Sequence, residues 1–177
     1  METLKGNACY LRALEPEDLE FLFDVENNET HWKVSGTIAP FSRYILKQYL
    51  ESAHKDIYEV KQLRLVIADL ETATTLGMID LFDFDPVHKR AGVGILLGRE
   101  HRGKGYASEA LHLLCNYAFE YLGLHQIYAN ITTDNEASLQ LFQSRGFKLI
   151  GVKKEWIKNQ NIYLDEAMYQ RIAPNEN

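Results

Sequence analysis

The sequence predicts a single α/β (α+β) domain over residues 1–177, with a mixed, mostly antiparallel sheet of about seven strands and helices on both faces. Three observations predict this fold class. With 177 residues, 46% of them hydrophobic, the chain can bury one full core but hardly two. Apolar residues in the middle of the chain alternate with period two, as they do in antiparallel strands. The second half places segments of helical spacing between short apolar runs, which is typical of crossovers between strands.

The N-terminal third predicts one strand and two helices. Residues 8–12 can start a short strand, and Pro16 with the two acids after it marks a helix start, because proline suits the first turn and acids suit its positive end. Ser42 can cap a second helix that runs to about His54. Between the helices, residues 27–41 form the longest irregular segment, and long ordered loops are often functional.

The middle of the chain predicts three consecutive antiparallel strands, at residues 62–68, 76–84 and 91–97. A helix follows over residues 107–121, where apolar side chains recur at the spacing of a helix packed on a sheet. Gly123 ends this helix. The chain therefore makes its first parallel crossover only after an antiparallel meander.

The last third predicts a strand, a helix and a hairpin. Residues 127–133 form the strand, and Asp134 or Asn135 caps a short helix that Gly146 ends. Residues 148–157 and 163–171 then pair as the hairpin. No repeat or low-complexity segment is present in the sequence.

A glycine loop, Arg102-Gly103-Lys104-Gly105-Tyr106-Ala107, joins the third antiparallel strand to the long helix. Its backbone amides and the first free N–H groups of the helix carry partial positive charge, and its glycines permit a close approach or a positive φ. Two cations stand in the same short turn. The loop therefore predicts a binding site for a diphosphate. A nicotinamide-dinucleotide domain is disfavoured, because the strand after the long helix carries no acid before Asp134.

Charge and composition restrict the partners. The chain has 19 basic and 25 acidic side chains and a net charge of −6, which argues against nucleic acid or an anionic membrane and weakly favours a cationic partner. Cys9 and Cys115 could form a bridge, but two reduced core thiols are the expectation, as in a cytosolic protein. Without a signal peptide or an apolar run of membrane length, we expect a cytoplasmic protein. No metal site is expected.

Two motifs make the sequence similar to the GCN5-related N-acetyltransferases (GNAT family). Arg102-x-x-Gly105-x-Ala107 matches the family pattern Q/R-x-x-G-x-G/A, whose loop amides bind the pyrophosphate of acetyl-CoA. The helix that begins at Asn135 and ends in Arg145-Gly146-Phe147 resembles the family pattern N-x-x-(A/S)…G-F.

Residues 77–81, the turn at residues 88–91 and the Asn135 helix resemble the branch that contains polyamine (spermidine or diamine) and ribosomal-protein N-terminal acetyltransferases. The resemblance covers nearly the whole chain in element order.

The resemblance implies acetyl-CoA as co-substrate and assigns its binding residues. The pantetheine arm would lie along one strand like a missing neighbour, the loop would hold the diphosphate, and the later helix would bind the pantetheine or its linking phosphate. The residues so assigned are Ile95, Leu96 and Leu97 on the strand, Arg102, Gly103, Lys104, Gly105, Tyr106, Ala107 and Ser108 in the loop and first helical turn, and Asn135 and Phe142 on the later helix.

Two departures from the family pattern affect proton transfer. Many members have a tyrosine where this chain has Phe142, and a glutamate where it has Gly92. Loss of the acid leaves a mismatch of about 2 kcal/mol for a thiol leaving group, whereas deprotonating a primary amine of pKa about 10.4 at neutral pH requires about 4–5 kcal/mol. The base is therefore the more important residue to find.

Five residues are candidates for catalysis and acceptor binding. Asp80 is predicted to contact the cationic acceptor or to act as a base through water, although it could equally be a solvated strand acid. Tyr128 lies near the expected thioester and could donate a proton or merely pack. Glu29, His31 and Trp32, in the irregular segment, could form the rim of the acceptor site.

We therefore expect an acetyl-CoA-dependent N-acetyltransferase in which a primary amine attacks the thioester directly in a ternary complex. The expected acceptor is a polyamine or similar cationic amine. Acetylation of a protein N-terminus is one alternative, and a non-catalytic CoA-binding module, suggested by Gly92 and Phe142, is another. The expected partners are thus a small-molecule amine or a peptide N-terminus, without nucleic acid or membrane, and a homo-oligomer is left open.

Overall fold

The computed structural model describes residues 2–35 and 37–174, without the side chains of residues 33–35. Its strands form one sheet in the order β1-β2-β3-β4-β5-β7-β6, and every neighbouring pair is antiparallel except β4 and β5. The predicted mixed, mostly antiparallel sheet of seven strands is confirmed. In chain order the strands are β1 Cys9–Arg12, β2 Leu63–Asp69, β3 Thr75–Asp85, β4 Arg90–Leu97, β5 Gln126–Thr132, β6 Lys148–Asn159 and β7 Ile162–Ile172.

In the described residues, helices lie in three of the connections between consecutive strands. Four precede β2, one joins β4 to β5 and one joins β5 to β6. Short 3₁₀ turns lie at Glu2–Leu4, Pro16–Asp18 and Arg99–His101, and a π-helical turn, Tyr117–Tyr121, extends the fifth helix. The helices are α1 Leu19–Glu26, α2 Glu29–Ser35, α3 Arg43–Ser52, α4 Ile57–Val60, α5 Tyr106–Asn116 and α6 Glu136–Ser144.

Two of these helices were not predicted. Residues 27–41 were expected to be irregular, but they contain α2, and α4 lies in a segment for which no element was expected. Asn28 accepts a hydrogen bond from the backbone N–H of Thr30 (3.1 Å), and the carboxylate of Asp56 accepts one from that of Tyr58 (2.6 Å). Both helices are thus started by N-terminal caps, although they are too short to show an apolar period.

Helices cover both faces of the sheet, as predicted. On one face, α5 buries Leu111 and Leu114 completely in the main core. On the other face, Leu22 of α1 and Leu46 of α3 form a smaller cluster with Met78 of β3. Each fully buried side chain of this size contributes about 1.5–3 kcal/mol of hydrophobic stabilisation. No helix within the described residues is long and apolar enough to cross a membrane.

The parallel pair at the centre of the sheet is incomplete. β4 pairs with β5 only through residues 90–92, whose partners are residues 126–128. β5 continues beside β7 as far as Thr132, whereas residues 93–97 of β4 have no strand partner on the β5 side in the described part of the chain. The two strands therefore diverge toward their C-terminal ends, and the sheet opens into a split.

A carboxylate on α5 fastens the N-terminal segment to the domain. Glu109 accepts hydrogen bonds from the backbone N–H groups of Asn7 (2.7 Å), Ala8 (2.9 Å) and Cys9 (2.8 Å). Partial burial acts to raise the pKa of Glu109, but the hydrogen bonds outweigh it and hold this pKa below its ordinary value of 4.5. Glu109 thus joins the edge strand β1 to the helix behind the glycine loop.

Replacing Glu109 with glutamine is expected to lower the free energy of unfolding by about 1–2 kcal/mol, because backbone donors lose a charged acceptor in a half-buried, partly screened site. A carboxylate with a lowered pKa stabilises the fold fully above its ordinary pKa and loses that effect as the pH falls through the lowered value. The difference between wild type and Glu109→Gln should therefore be constant well above pH 4.5 and shrink as the pH falls below that value. Urea unfolding measures it, with Glu120→Gln, at an exposed position, as the control. A difference that is independent of pH would contradict this account.

Candidate functional site

A groove of about 580 Å³ lies beside the unpaired part of β4. Its walls come from β4, the glycine loop, the first turn of α5 and the N-terminal part of α6. Ten of the residues predicted to bind acetyl-CoA line it together: residues 95–97, 102, 103, 105–108 and 135. Lys104 is not part of this lining, and Phe142 lines a second, smaller cavity instead.

The glycine loop adopts a conformation that only glycine takes readily. Gly103 has φ +74° and Gly105 has φ +89°, and a Cβ at either position would meet nothing within 4 Å. The glycines are therefore required by backbone conformation and not by crowding. Arg102 anchors the loop, because its Nε donates to the carbonyl of Leu97 at the end of β4 (3.2 Å). Gly105 is also the N-cap of α5, so the free N–H groups of the first helical turn lie beside the groove.

The two motifs meet in the folded chain. Arg145, at the C-terminal end of α6, donates from Nε to the hydroxyl of Ser108 in the first turn of α5 (2.7 Å). At the other side of this turn, the hydroxyl of Tyr106 donates to the carboxylate of Asp69 (2.8 Å). The start of α5 is thus fixed from two directions. No such contact was expected for Arg145, because a basic residue at the end of a helix does not by itself indicate its partner.

The second cavity, of about 70 Å³, lies in the split between β4 and β5. It shares Ile95, Asn135 and Ser138 with the groove, so the two spaces adjoin. Asn135 caps α6 by accepting a hydrogen bond from the backbone N–H of Ser138 (3.2 Å). Phe142 is buried at the cavity wall, with its ring edge-to-face against Phe147 at 4.9 Å between centroids. A phenylalanine here closes the cavity but supplies no proton.

Asp80 lines neither space, because it is engaged elsewhere. Arg64 donates from Nε and Nη2 to the two carboxylate oxygens of Asp80 (2.8 and 3.0 Å) and from Nη1 to Glu26 (2.6 Å). Burial raises the pKa of Asp80 in spite of the opposing effect of Arg64. This two-point pair favours a structural role for Asp80, and its predicted role as base or acceptor contact gains no support from its position.

Tyr128 also lies outside both spaces. Its hydroxyl donates to Asp83 at 3.5 Å, and its ring meets that of Phe82 edge-to-face at 6.2 Å between centroids. The ring of Phe82 in turn covers Gly92, where an added Cβ would lie 2.3 Å from Cε2. Gly92 is therefore explained by the close approach of this ring. The packing favours a structural role for Tyr128 over the predicted proton donor.

The three residues expected at the rim of the acceptor site do not line the same space. His31 lines the groove beside β4, together with Thr30. Trp32 instead donates from its indole Nε1 to the carbonyl of Glu26 (2.7 Å), and Glu29 is exposed in the first turn of α2. Neither Glu29 nor Trp32 lines either space. Of the three expected residues, His31 alone therefore lines either space.

Two residues of the smaller cavity were not found from the sequence. Thr132, at the end of β5, and Glu166, on β7, both line it and are opposite each other in the strand register. Alternation within single strands gave no signal for either residue, because their meeting depends on the strand order β5-β7-β6.

The split sheet and the groove beside the glycine loop define a fold of the acyl-CoA N-acyltransferase class. The profile of the acetyltransferase (GNAT) domain matches residues 9–148. The chain belongs to the GNAT acetyltransferase family, and the predicted resemblance is confirmed.

Relatives and solved structures agree with this assignment. Spermidine N(1)-acetyltransferase of Escherichia coli K12 is 30% identical over 150 residues, which cover 82% of this chain and 76% of the relative. A putative ribosomal N-acetyltransferase of Bacillus subtilis is 30% identical over 177 residues, covering 92% and 90%. The crystal structure of spermidine N-acetyltransferase from Vibrio cholerae in complex with CoA and spermine superposes with a TM-score of 0.85 at 25% identity, covering 94% and 96% of the two chains.

Replacing Gly105 with valine is expected to weaken acetyl-CoA binding about tenfold to a hundredfold, because the branched side chain strains a loop that must present its amides to the ligand. Gly123→Val is the matched control. Gly123 also has a positive φ (+63°) and open space around it, but it lines neither cavity. Each change should cost about 1–2 kcal/mol of stability through backbone strain. Calorimetric titration with acetyl-CoA measures the affinities; equal affinities for the two variants would contradict the loop assignment.

Proposed function

We propose that this protein is an acetyl-CoA-dependent N-acetyltransferase that acetylates a primary amine of a polyamine or similar cationic acceptor. The observation that carries the proposal is the junction between the groove and the cavity in the split sheet. A donor lying along the groove would bring its thioester to this junction, and an amine could enter the cavity from the split.

The donor would be held mainly by backbone groups. The unpaired edge of residues 95–97 offers N–H and C=O groups to the amides of the pantetheine arm, in place of the absent strand neighbour. The amides of the glycine loop and of the first turn of α5 would bind the diphosphate, and Arg102 adds a positive charge at the same wall. A backbone amide near Ile95 would stabilise the oxyanion formed when the amine attacks the thioester.

The acceptor is inferred from charge and from the relatives. The net charge of −6 favours a polycation over an acidic or neutral acceptor. The E. coli relative is a spermidine acetyltransferase, and the similar Vibrio structure contains CoA and spermine. The fold, the donor groove and the charge of this chain are compatible with the same reaction.

Acetylation of a protein N-terminus is the second candidate function, and it is supported by the similarity to the B. subtilis ribosomal acetyltransferase. A non-catalytic CoA-binding module is the third. Phe142 has no hydroxyl, and the ring of Phe82 covers Gly92, so neither position supplies the proton-transfer groups found in many family members.

We propose that residues 1–177 form one acetyltransferase domain, that it acts in the cytoplasm, and that no metal is required; the described residues contain no cluster of potential metal ligands. A homo-oligomer is supported by the edge strand β6, which exposes Ile150 (52%) and Trp156 (60%).

Purified protein is expected to release CoA thiol from acetyl-CoA when spermidine or spermine is added, at least tenfold faster than with a peptide of free N-terminus. Fully N-acetylated spermidine, which lacks a primary amine, is the matched control acceptor. A thiol reagent can follow the reaction, because burial raises the pKa of Cys9 to about 12 and that of Cys115 to about 11, so the protein's own thiols stay protonated.

Each result of this assay selects one candidate. Faster turnover with the peptide would identify a protein N-terminus, and not a polyamine, as the acceptor. Binding of acetyl-CoA without turnover of any amine would favour the non-catalytic module and refute the proposed enzyme.

A further inference from the structure

A buried hydroxyl without a partner lies in the small cavity between β4 and β5. Thr132 is 6% exposed, and its Oγ1 has no hydrogen-bond partner among the described residues. A buried polar atom is normally satisfied, and an exception calls for a water or ligand. The cavity, of about 70 Å³, has room for a water molecule or an amino group beside this hydroxyl.

Glu166 is the only ionisable residue among the described residues that line this cavity. Its side chain is 12% exposed, and Thr132 is its register partner on β5. Lys153, its register partner on β6, forms an ion pair with it. The other lining residues, from β4, β5, β6 and α6 with its cap, are uncharged, so Lys153, which lies outside the lining, is the charged group in contact with Glu166.

We propose that Glu166 is the base of the acetyl transfer, and that Thr132 holds the acceptor amine, or the water that connects it to Glu166, in the cavity. This inference rests on the proposed function. It assigns proton transfer to a residue on β7, on the side of the split away from Gly92 and Asp80. The Lys153 pair keeps the charge of Glu166 neutralised in a half-buried site until a cationic amine arrives.

Glu166 accepts one proton from the ammonium group, which becomes a neutral amine. The amine nitrogen forms a bond to the carbonyl carbon of the thioester, and the carbon–sulfur bond then breaks. The second nitrogen proton passes to the departing sulfur, so that the products are the amide and CoA thiol. Glu166 returns its proton to solvent after the products leave.

The test compares the pH dependence of kcat/KM for spermidine in wild type, Glu166→Gln and Lys153→Met. With a base in the site, the ammonium form is the substrate, and wild type should vary little between about pH 6.5 and about pH 9. Without the carboxylate, Glu166→Gln can use only the fraction of amine that is already neutral in solution. Its kcat/KM should therefore rise about tenfold per pH unit. At pH near 7 its rate should be about a hundredfold below wild type.

Lys153→Met breaks the same ion pair but leaves the carboxylate, so it should keep the flat profile of wild type. Parallel loss in both variants at every pH would mean that the pair is only structural and would overturn the proposal. Equal rates for wild type and Glu166→Gln would overturn it as well. Absence of turnover in wild type refutes the proposed function itself, and the role of Glu166 in the reaction falls with it. Acetyl-CoA affinity, measured by calorimetry, should be the same in all three proteins.

Thr132→Val tests the hydroxyl separately, because valine has nearly the same shape. The variant should keep the fold, with a thermal midpoint close to that of wild type, and have a kcat/KM about tenfold lower, because the hydroxyl that orients the amine or its water is lost. An unchanged kcat/KM would show that Thr132 does not contact the acceptor or its water. Restored activity in Thr132→Ser would support the role of the hydroxyl.

Discussion

The divergence of β4 from β5 is the constraint on which the rest of the molecule depends. A parallel pair normally continues for the length of both strands, but here it ends after residue 92 of β4. The free edge of β4 becomes one wall of the groove, and the gap between the strands becomes the cavity. At this edge, the backbone N–H and C=O groups that a neighbouring strand would bind remain available to bind another molecule.

The elements around the split are fixed by a small number of polar contacts. Ser108 and Arg145 join α5 to α6, and Tyr106 joins α5 to Asp69 at the end of β2. Glu109, one residue further along α5, holds the edge strand β1. The first turn of α5 therefore contacts several parts of the fold as well as the groove, and the position of the glycine loop does not depend on the loop alone.

Much of the fold and of the donor site could be predicted from the sequence, because local patterns determine them. The alternation in the middle strands can be recognised within a short window of residues. The same is true of the glycine loop and of the start of the Asn135 helix. The residues proposed for proton transfer were less predictable. Asp80 is engaged by Arg64, which is sixteen positions away in sequence and is its register partner across β2 and β3. Glu166 meets Thr132 only because β7 lies between β5 and β6.

The ring of Phe82 over Gly92 couples two positions on neighbouring strands. A Cβ at 92 would overlap this ring, so any side chain there requires the ring of Phe82 to move or to be replaced by a smaller residue. Conversely, once the ring is in place, loss of the glycine is strongly disfavoured. The two positions therefore constrain each other across the β3–β4 pair, and a side chain at 92 fits the fold only where the ring at 82 has moved or is replaced by a smaller residue.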